Sequence, residues 1–167
     1  VPAKLHDILE IKLTEAMSIP LCDYGDGTLD ASAAERILEF SSMCDCVAIG
    51  PGLSKTKSTV QVVSRVLHKL ECSCIVDADG LNCLSEELSI LKQCKGEVVL
   101  TPHPGEMSRL TGLSISQIQE NRLGISLEFA KENNVILVLK GARTVVASPG
   151  GLAYINPTGT PGMATGG

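Results

Sequence analysis

Tryptophan is absent from this chain, and Tyr24, Phe40, Phe129 and Tyr154 are its only aromatic side chains, 2% of 167 residues. A sheet that stacks on bases needs more of them. Positive charge is also sparse: 14 Lys and Arg against 19 Asp and Glu give a net charge of −5, with no basic run. No nucleic acid is expected as a partner on either count. No apolar run reaches roughly 18 residues, so no membrane-spanning helix and no membrane partner is expected. No secretory leader is expected, and the first residue is Val1 rather than Met. The expectation is a piece of a longer, cytoplasmic protein. The seven cysteines (Cys22, Cys44, Cys46, Cys72, Cys74, Cys83 and Cys94) lack the C-x2-C spacing of zinc sites, and their number is odd. They are expected to be small buried hydrophobes in a reducing cytosol, with metal or redox use as the alternative.

Val, Ile, Leu and Ala dominate the 44% of residues that are apolar. That suits a buried parallel sheet covered by helices. Leu5, Ile8, Leu9 and Leu13 fall at helical spacing and predict a helix near 3–17. Ser32-x-x-Glu35 has the form of a capping box and predicts a second helix through Met43. Val47–Ile49 reads as a short buried strand, and Val60, Val63, Leu67 and Leu70 mark one face of a third helix. Cys74–Val76 reads as a second strand, followed by a short helix through Leu91. Val98–Leu100 is a third strand, followed by helices over 106–110 and about 116–133, the latter opened by a capping box at Ser116-x-x-Gln119. Val135–Leu139 is a fourth strand. Thr144–Ala147 and Leu152–Ile155 flank Ser148-Pro149-Gly150-Gly151 as a β-hairpin.

Alternating strands and helices imply one α/β domain with a mostly parallel sheet. Ligands of such sheets bind at the carboxyl ends of the strands. Here those ends carry Gly50-Pro51-Gly52, Asp77-Ala78-Asp79-Gly80, Thr101-Pro102-His103-Pro104-Gly105-Glu106 and Lys140-Gly141. Turn residues are expected at these places in any case. Two carboxylates, a His and a Lys on one edge locate a candidate site nonetheless.

Each motif has a functional and a plain reading. Gly50-Pro51-Gly52 either lets backbone approach an anion or makes an ordinary turn. Asp77 and Asp79 point the same way if the strand persists, and together hold Mg2+ through water. Asp79 alternatively caps the next helix. His103 is stiffened by prolines on both sides. Glu106 is either a first-turn acid or orients a metal-bound water. Lys140 with Thr144 suits nucleotide phosphates, or is a solvated strand end. Thr158 to Gly167 has the composition of a phosphate-cradling loop, or of a flexible tail.

Taken in order, the motifs Val47–Leu53, Ile75–Asn82, Leu100–Glu106, Val138–Thr144 and Gly159–Gly167 resemble the ADP/ATP-dependent NAD(P)H-hydrate dehydratase family. The resemblance implies a ribokinase-like three-layer α/β/α sandwich with a mostly parallel sheet, here a single partial domain over 1–167, truncated at both ends. It implies repair of the S-epimer of hydrated NADH or NADPH, with ADP or ATP as co-substrate, Mg2+ as cofactor and a homo-oligomer, up to a tetramer. Gly52, His103, Pro104, Gly105 and Glu106 resemble the substrate-contacting segments. Related kinases have Asn-x-x-Glu where this chain has His103 and Glu106. Lys140, Gly141, Ala142, Arg143 and Thr144 resemble the adenine-nucleotide contact. Thr160, Pro161, Gly162, Met163, Ala164, Thr165, Gly166 and Gly167 resemble the phosphate loop. Asp79 and Glu106 are the expected Mg2+ neighbours, through water. The family's loop continues into Gly-Asp-Val-Leu, whose Asp is the base. That Asp is expected beyond Gly167, and residues 1–167 alone are expected to bind weakly and turn over little. The alternatives are a vitamin or sugar kinase of the same fold and a non-catalytic nucleotide-binding module.

Overall fold

A computed structural model of the chain describes residues 1–160. The first helix is α1 (Ala3–Lys12) and the second α2 (Ala33–Ser41). Strand β1 (Cys46–Ile49) leads through α3 (Lys57–Lys69) to β2 (Ser73–Val76). Helix α4 (Asp79–Leu84) and a 3-10 turn (Leu88–Gln93) lead to β3 (Val98–Leu100). Helices α5 (Pro104–Thr111), α6 (Ile115–Glu120) and α7 (Arg122–Asn133) lead to β4 (Ile136–Leu139). A hairpin of β5 (Val145–Ala147) and β6 (Ala153–Ile155) completes the six-stranded sheet.

Strands lie in chain order; β1 to β4 are parallel and the hairpin adds two antiparallel strands. The α/β architecture with a mostly parallel sheet is as expected. Right-handed crossovers between neighbours in this order lie over one face. That face is the buried one: Ile49, Cys74, Val76, Leu100, Leu137 and Leu139 pack under Val62, Val66 and Leu67 of α3 and Phe129 and Ala130 of α7. The alternate residues are less covered, Ile75 being 38% exposed. Among the described residues, no helix is long and apolar enough to cross a membrane.

Several local expectations are corrected. The first helix stops at Lys12, not near residue 17, and none of its residues is buried. Its apolar stripe gains no packing, and a helix this short depends on packing rather than propensity. The hydroxyl of Ser18 donates to Glu10 Oε1 at 2.6 Å and lies 2.9 Å from His6 Nδ1, turning the chain back along the helix. Ser32 does not cap α2: its own backbone is helical and its side chain caps nothing. Asp30 instead accepts from the Ser32 N–H at 2.8 Å, and Glu35 pairs with Lys69 of α3 at 3.3 Å. The predicted helix over 116–133 is two helices. The capping box is Ser114 with Gln117, in both directions, at 3.2 and 2.9 Å, two residues earlier than read. Asn121 ends α6 and caps α7, accepting from Gly124 at 3.1 Å. The cysteines are all free, but only Cys74 and Cys83 are buried; Cys22, Cys44 and Cys46 are exposed. Burial pushes the Cys74 thiol up to about 12 and that of Cys83 up to about 11, so neither is a nucleophile.

Two glycines set the spacing of β1 against β2. A Cβ on Gly50, whose φ is +139°, would lie 1.7 Å from the Asp77 carbonyl oxygen. One on Gly80 would lie 2.9 Å from the Ile49 oxygen. The two loops therefore cross backbone to backbone.

Candidate functional site

The strand ends are stitched together before any side chain is considered. The Asp77 N–H donates to Ile49 O at 3.1 Å, Thr101 N–H to Val76 O at 3.2 Å, and Lys140 N–H to Pro102 O at 2.8 Å. Each loop thus begins at the height of its neighbour, and the four sequence motifs share one edge.

Lys140 joins them chemically. Its Nζ lies 2.6 Å from Asp77 Oδ1 and 3.9 Å from Glu106 Oε2. Burial on its own raises the Asp77 pKa. Hydrogen bonds from Lys140, Thr101 and the Ala78 backbone, with the Lys140 charge, outweigh it and hold the carboxyl below its usual range. Glu106 is only 6% exposed, an unusual place for a carboxylate unless it is satisfied. Its Oε2 accepts from the His103 N–H at 2.8 Å, and its Oε1 lies 3.5 Å from His103 Nε2.

His103 is the N-cap of α5, with Pro104 at the first helical position, where a missing N–H costs nothing. Its Nδ1 accepts from the N–H groups of Gly105 at 2.9 Å and Glu106 at 3.3 Å. The ring proton therefore belongs on Nε2, facing Glu106. A Cβ on Gly105 would sit 2.8 Å from the imidazole Cε1, so Gly105 is what lets the ring fold back over the helix start. Half of the His103 side chain stays exposed.

Asp77 and Asp79 do not point the same way. The strand ends at Val76, and Ala78 turns the backbone with φ +49°, a strained value for a non-glycine residue. Asp79 does not cap its own helix either, because Ala78 occupies that position. Its carboxylate reaches back to the glycine loop, accepting from Ser54 N–H at 2.8 Å and from Asn82 Nδ2 at 3.3 Å. Arg109 Nη1 in turn donates to Asn82 Oδ1 at 3.2 Å, tying α5 to α4. Gly52 has φ +74° and nothing within 4 Å of where a Cβ would stand. A cavity of about 370 Å3 runs beside this loop, lined by Gly50, Pro51, Gly52 and Leu53 with Leu29 and Val62.

Lys140, Gly141, Ala142, Arg143 and Thr144 form the turn from β4 into the hairpin. Gly141 has φ +135° and Arg143 φ +57°, and Thr144 Oγ1 donates to Gly141 O at 2.9 Å. Thr160 is the last described residue. Pro161, Gly162, Met163, Ala164, Thr165, Gly166 and Gly167 lie outside the described residues. No group of three or more His, Cys, Asp or Glu among the described residues forms a cage for a metal ion. Mg2+ needs no such cage: one or two carboxylates, water and substrate phosphates hold it.

One pairing and one residue escaped the sequence reading. Asp77 was legible as half of an acid pair, but not as the partner of Lys140, 63 positions away. Arg122 carries no motif. Its Nη2 donates to Leu139 O at 2.8 Å and Lys140 O at 3.2 Å, beneath the turn. The available signal was a cation in the first turn of a helix, where the dipole disfavours it.

Known proteins match this chain closely. The family model described as NAD(P)H-hydrate dehydratase matches residues 6–167. A bifunctional NAD(P)H-hydrate repair enzyme Nnr of Moorella thermoacetica is 47% identical over 167 residues, which is all of this chain and 32% of that protein. The ADP-dependent (S)-NAD(P)H-hydrate dehydratase of Bacillus subtilis is 40% identical over 72% of this chain and 42% of its own length. The chain thus spans between about a third and two fifths of these two relatives. The crystal structure of the Bacillus subtilis ADP/ATP-dependent NAD(P)H-hydrate dehydratase, co-crystallised with ATP and Mg2+, superposes with a TM-score of 0.63 at 39% identity, over 73% of this chain and 42% of that one. A ribokinase-like superfamily protein of Enterococcus faecalis gives a TM-score of 0.76 at 26% identity, over 99% of this chain and 54% of that one.

Proposed function

Since this chain belongs to the NAD(P)H-hydrate dehydratase family, we propose that its strand-end edge holds an adenine nucleotide beside a hydrated nicotinamide dinucleotide. The protein carrying it returns the S-epimer of NADH or NADPH hydrate to NAD(P)H, using ADP or ATP. The observation that carries this reading is Lys140, which sits between Asp77 and Glu106 and joins a loop suited to phosphate with one headed by a half-exposed histidine.

The chemistry asks little covalent work of the protein. The ring hydroxyl attacks the terminal phosphorus, the shortened nucleotide leaves, and the phosphate then departs with the C–O electron pair as a ring proton is lost. Positioning and charge stabilisation supply most of the rate in such transfers. On this reading Gly52 leaves room for the hydrated ring, and His103 meets it with the exposed side of its imidazole. Pro104, Gly105 and Glu106 fix that ring by building the helix start beneath it. Lys140 and the turn through Thr144 meet the nucleotide, and the stretch Thr160 to Gly167 cradles its phosphates. The carboxylates of Glu106 and Asp79 each accept bonds from neighbouring donors and keep lone pairs for water, which fits water-mediated contact to Mg2+. Mg2+ would neutralise charge on the transferring phosphoryl group. The base on this reading is the Asp of the Gly-Asp-Val-Leu into which the family's loop continues.

The test supplies the full-length protein with Mg2+, hydrated NADH and either ADP or ATP, and follows NADH absorbance together with free phosphate. Both should rise in step. Absence of NADH formation with both nucleotides would overturn the proposal. A phosphorylated product that keeps its phosphate would make the protein a small-molecule kinase instead.

A further inference from the structure

We propose that Arg122 is a positioning residue for the nucleotide half of the site: its guanidinium clamps the last two carbonyls of β4 and so sets the turn that aims Lys140. This rests on the nucleotide reading given above. The carbonyls of Leu139 and Lys140 both accept from one nitrogen, Nη2, at 2.8 and 3.2 Å. Nη1 is anchored to Gln119 Oε1 at 3.1 Å, so the fork is held from the α6 side as well. Gly141 stands beside the guanidinium: a Cβ there would be 3.4 Å from both terminal nitrogens, an ordinary contact, so the backbone angle rather than space calls for glycine. Its φ of +135° is one that glycine alone adopts easily. The glycine and the arginine are parts of one device: Arg122 holds the carbonyls that lead into the turn, and Gly141 supplies the backbone angle that makes it.

The device has a direction. The peptide between Lys140 and Gly141 is fixed by Arg122 through its carbonyl, and the Lys140 N–H is fixed by Pro102 O at 2.8 Å. With both ends of residue 140 held, its side chain leaves the strand toward Asp77. Arg122 makes no hydrogen bond to the His103 segment, which this arrangement meets only through Lys140, at Pro102 O and, 3.9 Å away, at Glu106 Oε2; loosening the turn should therefore disturb the nucleotide side more than the other. A lysine does not replace the arginine: one ammonium nitrogen can reach the carbonyls, but it has no second terminal nitrogen for Gln119 to anchor and no planar fork to fix its aim. Among the described residues, the buried Nε of Arg122 has no hydrogen-bond partner. Packing a half-satisfied guanidinium under a turn is costly unless the turn itself is what it serves.

The experiment compares wild type, Arg122→Ala, Arg122→Lys and Gln119→Ala as full-length proteins, measuring KM and kcat for both substrates and calorimetric Kd for ADP and ATP. Loss of charge-assisted bonds should raise KM and Kd for the nucleotide roughly ten-fold in both Arg122 variants, with KM for the hydrated dinucleotide unchanged within about two-fold. Gln119→Ala removes one anchor only and should give a smaller change in the same sense, which keeps the test open if Arg122→Ala does not fold. Arg122→Lys behaving as wild type would overturn the clamp, as would parallel increases in both KM values. A wild type that binds no adenine nucleotide defeats the functional reading underneath. A wild type that binds it while the variants bind equally well defeats only the role of Arg122.

Discussion

Replacing Lys140 with Met removes the cation from between two carboxylates while keeping most of the aliphatic stem. The Lys140–Asp77 contact is short, 2.6 Å, but its side chains are 40% and 34% exposed. Two charges about 4 Å apart at an effective dielectric near 20 attract by roughly 4 kcal/mol. Solvent at this exposure screens most of that, and measured exposed pairs give about 0.2 to 1 kcal/mol. The expected loss is therefore about 1 kcal/mol near neutral pH, the top of that range, because Asp77 also loses a hydrogen-bond donor. The pH dependence makes the origin visible. Asp77 titrates below its ordinary 3.8 in the wild type, so its contribution is complete above that value and disappears as pH falls through the lowered one. In Lys140→Met the burial that opposes ionisation is no longer answered by a cation, and the Asp77 pKa rises. The gap in stability between wild type and Lys140→Met should then be widest near neutral pH and close in strong acid, where both proteins carry a protonated Asp77. Urea unfolding of the two proteins at about pH 7 and about pH 2.5 measures this. A gap of the same size at both would show that Met merely packs badly and that the ion pair contributes nothing.

Gly50→Ala should prevent recovery of folded protein, because its Cβ would overlap the Asp77 carbonyl at 1.7 Å. Gly52→Ala meets nothing and should cost only about 1 kcal/mol for its left-handed φ, measured by the shift in thermal midpoint. Ser114→Ala should cost about 1 kcal/mol of stability as the true cap of α6, whereas Ser116→Ala, inside the helix, should change it by only about a few tenths of that amount. His103→Ala should raise KM for the hydrated dinucleotide more than that for ADP or ATP, and also cost about 1 kcal/mol by uncapping α5. Equal effects on both KM values would remove His103 from the substrate side.

The sheet was legible because its signals are local. Val98–Leu100 is a short run, rich in β-branched residues and closed by Thr-Pro, and its length and flanks suit a buried strand; the hairpin around Ser148–Gly151 declares its own turn. Helix ends were less legible where several residues of the same chemistry compete for one task. Ser114 and Ser116 both stand three residues before a Gln, but only Ser114 has the extended backbone of a cap, whereas Ser116 lies inside the helix. Asp30 likewise displaces Ser32, since an Asx turn and a capping box use the same N–H groups. The first helix was overread because amphipathic spacing announces a face, not a partner for it.

The site divides along the same line. Gly50-Pro51-Gly52, His103–Glu106 and Lys140–Thr144 were visible as motifs because each must be spelled out within a few residues to make its loop. The bonds between motifs were not visible, since Asp77, Glu106 and Lys140 lie far apart in sequence and meet only when β2, β3 and β4 stand in register. That register also explains why Asp77 and Asp79, adjacent in the sequence pattern, have separate tasks. Asp77 lies one step past the strand, level with Lys140, and answers its charge. Asp79 lies beyond the strained Ala78 and is turned toward Ser54. A carboxylate moved by two positions changes partner completely, so the acid pair is two residues serving two loops rather than one metal clamp.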